Sequence, residues 1–125
     1  MTQRLLGPLA LLSALGVLVL AAPAASAEVI IKPVAASEMS PLSLSQCSSG
    51  TVCAWENSNF TGNFSQWPAS NTGCHNHSGN PSIRSGWNRS PYNVRYGGGP
   101  TLPPGYAFEV NPGENPITGE ICWPV

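Results

Sequence analysis

Trp55-Glu56-Asn57-Ser58-Asn59-Phe60-Thr61-Gly62 joins two runs of strand-forming residues. Upstream, Thr51-Val52-Cys53-Ala54-Trp55 is rich in β-branched and aromatic side chains. Downstream, Phe60 to Trp67 is a second run that contains Gly62. Between them Asn57-Ser58-Asn59 are turn formers, so the stretch reads as a β-hairpin. An aromatic, four residues, a second aromatic, one residue and a glycine is its pattern.

Outward from the hairpin the signals remain β. Ile83 to Trp87 is a third short run. Tyr92-Asn93-Val94-Arg95-Tyr96 alternates apolar and polar residues, as a half-buried strand requires. Gly97-Gly98-Gly99 ends it. Tyr106-Ala107-Phe108-Glu109-Val110 alternates again, Asn111-Pro112-Gly113 and Asn115-Pro116 are turns, and Ile121-Cys122-Trp123 is a last strand. Beyond residue 27 no window carries a 3.6-residue period. The expectation is an all-β fold, a small antiparallel sandwich of about six or seven strands.

Composition agrees. The chain has 125 residues with 13 Gly and 13 Pro, which disfavours long helices and favours short strands with many turns. All ten aromatics lie from Trp55 onward, which argues against disorder there. Only 9% of residues are charged and none is Asp. A charge-poor, weakly acidic chain lacks the basic patch that nucleic acid needs. Asp-based catalysis and the usual EF-hand loop are excluded too.

Thr2-Gln3-Arg4 is a short positive start, Leu5 to Ala22 is apolar, and Pro23-Ala24-Ala25-Ser26-Ala27 ends in small-x-small. This predicts a signal peptide over residues 1–27, cleaved after Ala27. A retained anchor is the rival, but Gly7, Pro8 and Gly16 interrupt the apolar run. The mature protein is expected to be secreted, free of the membrane and monomeric. Residues 28–46 have no aromatic, no Gly and no Cys, and read as an N-terminal extension with at most one short edge strand. The folded domain is expected over residues 47–125.

Cys47, Cys53, Cys74 and Cys122 form an even set, which reads as a disulfide framework with three pairings open. Zinc would need a second ligand cluster facing Cys74-His75-Asn76-His77, and none is present.

The Trp55 hairpin resembles the signature hairpin of βγ-crystallin Greek-key domains. In that family the hairpin folds over, its two aromatics stack, the glycine takes a backbone conformation that a Cβ would hinder, and a later Ser bonds into the fold. Ser85 stands where that Ser would be, so Trp55, Phe60, Gly62 and Ser85 are the implied fold signature. The wider order is Cys47-x5-Cys53, the hairpin, Cys74, Ser85, Asn88, then Val94-Arg95-Tyr96. It resembles the I36 family, small secreted bacterial proteins of βγ-crystallin-like fold named for inhibition of metalloproteinases. The resemblance implies a Cys47–Cys53 bridge, with Cys74–Cys122 as the second, and an extracellular protease as partner. The alternative is a structural or carbohydrate- or cell-wall-binding module of the same fold.

Two departures limit what carries over. Inhibitor members present their reactive bond in a second disulfide loop after the Val-Arg-Tyr strand. Here Gly97-Gly98-Gly99-Pro100 follows, and the next cysteine is Cys122. Calcium-binding crystallin motifs carry acidic or amide residues where this chain has Pro81 and Ser82. No metal, no cofactor and no catalytic residue is therefore expected. Without the disulfide loop, Pro100, Pro103 and Pro104 are expected to stiffen the segment and present Thr101-Leu102 as the inhibitory contact. His75 and His77 are expected in a polar loop, Trp67, Trp87 and Trp123 in the core, and Glu56, Glu109 and Glu114 without a nucleophile to serve.

Overall fold

Two antiparallel sheets face each other across one apolar layer in the computed structural model, which describes residues 29–77 and 82–125. The expected signal peptide lies outside the described residues. The strands are β1 (Val29–Pro33), β2 (Thr51–Asn57), β3 (Thr61–Pro68), β4 (Gly73–His75), β5 (Ser85–Asn88), β6 (Val94–Tyr96), β7 (Thr101–Leu102), β8 (Tyr106–Val110) and β9 (Ile121–Trp123). A five-stranded sheet has the order β1-β8-β5-β2-β3, and a four-stranded sheet β4-β9-β6-β7. The all-β sandwich read from the sequence is thus present, with more strands than expected. The three additions are short or lie in an aromatic-free stretch. A two- or three-residue strand is too brief to show a period.

Alternation along each strand decides what lies between the sheets. Val52, Ala54, Phe108 and Val110 point inward from the first sheet. Val94, Tyr96, Leu102, Ile121 and Trp123 meet them from the second. Tyr96 packs edge-on to Phe108, with ring centroids 4.9 Å apart, and donates its hydroxyl to the Cys53 carbonyl at 2.8 Å. Burial raises the pKa of that hydroxyl far above the ordinary tyrosine value.

The outer face of the first sheet is covered as well, and here the expectation for residues 28–46 needs correction. From Val29 onward this segment is part of the fold rather than an extension. β1 pairs with β8 from Val29↔Val110 to Pro33↔Tyr106. The chain then crosses the outer face as a strap. Val34 and Met39 bury against Trp55, Trp87 and Ala107. A short helix, α1 (Pro41–Gln46), is started by Ser40, whose side chain accepts the Ser43 amide, with Pro41 in its first turn. Gln46 accepts the Trp55 indole N–H at 2.8 Å, and Ser43 donates to the Phe60 carbonyl at 2.9 Å. The Cys47–Cys53 disulfide ties the end of the strap to β2. Isolated apolar residues such as Val34 and Met39 give no periodic signal, so only the sheet beneath them reveals their role. Among the described residues no helix is long and apolar enough to cross a membrane.

Candidate functional site

The hairpin between β2 and β3 closes one end of the five-stranded sheet. The Trp55 ring meets Phe60 edge-on at 5.3 Å and Phe64 at 5.1 Å. Asn59 and Phe60 both adopt positive φ, which folds the tip over the sheet. Ser85 fixes it from below: its hydroxyl donates to the Asn57 carbonyl at 2.7 Å and accepts the Phe60 amide at 3.1 Å. Gly62, at φ 88°, lies under the Asn57 side chain, which a Cβ would meet at 2.5 Å. The four fold-signature residues are therefore in one contact set.

Next to the hairpin's base, joined to it through Ile83, is a rim made of two loops of the four-stranded sheet. Gly97–Pro100 turns β6 into β7, closed by the Tyr96 amide to the Pro100 carbonyl at 2.9 Å and the Gly99 amide to the Tyr96 carbonyl at 2.8 Å. The second loop, residues 117–120, runs beside it. The Gly97 amide donates to the Glu120 carbonyl at 2.8 Å and the Gly98 amide to the Thr118 carbonyl at 3.1 Å. Ile117 exchanges backbone hydrogen bonds with buried Ile83 at 2.8 and 2.9 Å. Two residues beyond Glu120, Cys122 is bridged to Cys74, its partner across β9 and β4. Thr118-Gly119-Glu120 is thus held at both ends by its own carbonyls, while all three residues are exposed. Gly97 sits at φ 55°, and a Cβ there would overlap the Thr118 carbonyl oxygen. Close approach of two backbones, not proline stiffness, is what holds the rim.

The expected inhibitory contact is corrected by burial. Leu102 pairs with Val94 and is 0% exposed, so it fills the core and is closed to any pocket outside. β alternation sends its neighbour the other way: Thr101 is exposed and pairs with exposed Arg95 beside the rim. Sequence reasoning points to Thr101 but misses Thr118, Gly119 and Glu120. The run of three glycines is their visible trace, but nothing local tells which segment those glycines accommodate.

The histidines part company. His75 stacks on Trp67 at 5.5 Å and lies 4.8 Å from Trp123, and its Nε2 donates to the Asn71 carbonyl at 2.7 Å. His77 is buried, contrary to the polar-loop expectation, and neither ring nitrogen makes a hydrogen bond. Burial lowers its pKa below the ordinary histidine value and outweighs the opposite pull of the Asn63 backbone and the Glu56 carboxylate. Cys74, Cys122 and Glu120 place three potential ligand atoms together, but the disulfide occupies both sulfurs. Trp87 and Trp123 are buried as expected, whereas Trp67 is half-buried at the edge of the core.

Residues 41–102 match the model of a family described as peptidase inhibitor family I36, a span that runs from the first residue of α1 to the last of β7. No curated protein and no solved structure matches the chain. Residues 117–120 lie beyond the matched span.

Proposed function

We propose, from the premise that the chain belongs through residues 41–102 to peptidase inhibitor family I36, that it is an exported inhibitor of an extracellular protease, with metalloproteases as the first class to test. Export through the leader at residues 1–27 and two disulfides fit that compartment. The observation that carries the reading is the rim. An inhibitor needs a segment that is exposed yet already ordered, because ordering on binding subtracts from affinity. Thr118-Gly119-Glu120 meets both conditions, with Thr101 and Arg95 alongside. For a metalloprotease, the Glu120 carboxylate is an oxygen ligand of the kind zinc accepts.

The binding-module reading has less support. A sugar platform wants coplanar exposed rings, and Trp55, Trp87 and Trp123 are buried. The test is residual protease activity at rising inhibitor concentration, across secreted metallo- and serine proteases. Titratable loss of one class is expected. Full activity of every protease at a large molar excess would defeat the reading.

A further inference from the structure

A concavity lies on the side of the five-stranded sheet that faces away from the four-stranded sheet, whose loops form the rim. It is a cleft of about 330 Å³ between the strap and the hairpin tip, on the outer face of the five-stranded sheet. Its floor carries Lys32 of β1 and Glu109 of β8. Asn59 and Phe60 form one wall, Glu38 and Met39 the other. The volume suits a side chain or a small ligand.

The charged groups are arranged rather than scattered. Glu109 accepts the Asn59 amide at 2.8 Å through Oε1, and Glu38 accepts the Ala35 amide at 2.9 Å through Oε1. Each carboxylate is therefore oriented by one backbone N–H and keeps its second oxygen for another donor. Among the described residues no ion pair joins Lys32 to either of them. Apolar lining comes from Val34, buried Met39 and the half-buried Phe60 ring. Two carboxylates beside apolar side chains in one cleft complement a cation on a short apolar stem. The ring of Phe60 adds a face that attracts cations.

We propose that this cleft binds an alkylammonium group, its nitrogen between Glu38 and Glu109 and its stem on Val34, Met39 and Phe60. Lys32 at the floor sets the orientation, repelling the ammonium toward the carboxylates and donating to a carbonyl or carboxylate from the rest of the ligand. Two sources carry this chemistry: a lysine side chain of a partner protein, and the free amino end of a peptide or amino acid. The site does not depend on the inhibitor reading, since no residue of the rim takes part.

The Ala35 and Asn59 amides, each bonded to one carboxylate, are built-in reporters. The test is a ¹⁵N NMR titration of the processed protein with n-butylammonium, Nα-acetyl-lysine amide and leucinamide, against pentan-1-ol and acetate. Saturable shifts at Ala35 and Asn59 with millimolar affinity are expected for the amines, at least about tenfold weaker for pentan-1-ol and for Glu38→Gln with Glu109→Gln. Gln keeps the Oε1 acceptor, so the fold is retained; if the double variant unfolds, Glu38→Gln alone and the pentan-1-ol comparison decide. The tighter of the lysine amide and leucinamide identifies the source. Equal binding of pentan-1-ol and butylammonium, or no saturation to about 50 mM, overturns the proposal.

Discussion

The hairpin end and the rim are both braced, but by different groups. At the hairpin, side chains hold the backbone: the Trp55 ring against Phe60 and Phe64, the Ser85 hydroxyl bridging two backbone groups, Asn57 over Gly62. At the rim, backbone holds backbone: two glycine amides on the carbonyls of Thr118 and Glu120, with Ile117 paired to Ile83. Side chains are written in the sequence, and their spacing is legible in it directly. Backbone pairing leaves no residue type behind except a glycine where a Cβ will not fit. The difference teaches that the hairpin and the rim are legible to different degrees, for a physical reason.

The largest loss of stability is expected at Trp55. Its ring is fully buried and contacts both hairpin aromatics and the strap. Trp55→Ala is expected to cost about 4 kcal/mol, seen as a large drop in urea midpoint. A loss under about 1 kcal/mol would mean that the hairpin is not held by this ring. Ser85→Ala comes next, at about 2 kcal/mol, because it strands the Phe60 amide and the Asn57 carbonyl together.

At the rim the sharpest contrast is between adjacent glycines. Gly97→Ala combines a positive φ with overlap of the Thr118 carbonyl and should cost about 2 kcal/mol. Gly98 has open space where its Cβ would be, so Gly98→Ala should stay within about 0.5 kcal/mol. Equal thermal shifts for the two would remove the close approach as the explanation of the motif.

The smallest expected effect is the pH response of His77. Its folded pKa lies below 6.5, so as pH falls the unfolded chain binds the proton first. Its contribution to stability is complete above the ordinary histidine range, declines as pH drops through it, and levels off below the folded value. Melting temperature should fall between about pH 7.5 and 5, and His77→Gln should flatten that slope. An unchanged slope in the variant would place the response on other groups.

Particular residues show how far the sequence can be read. The alternation of Tyr106–Val110 and the β-rich run from Thr51 mark two strands of the first sheet directly. The signature residues and both disulfide pairs follow from a resemblance that turns on side-chain identity. The strap is illegible because its buried residues are single and far apart, and they meet a surface made by distant strands. Leu102 misleads because three prolines around it suggest a loop, whereas two residues pairing with β6 suffice to turn it inward. Thr118-Gly119-Glu120 stays hidden because its ordering comes from glycines some twenty residues earlier in the chain.

If the rim faces the protease, as proposed, inhibition depends on its residues and not on residues elsewhere. Wild type, Glu120→Ala, Gly97→Ala and, as a control away from the rim, Leu42→Ala are titrated against the protease that wild type inhibits. Leu42 is exposed on α1, so its loss should leave inhibition unchanged. Both rim variants should weaken inhibition by about tenfold or more, Glu120→Ala with its melting temperature intact. Inhibition by the rim variants equal to that of wild type would contradict the claim.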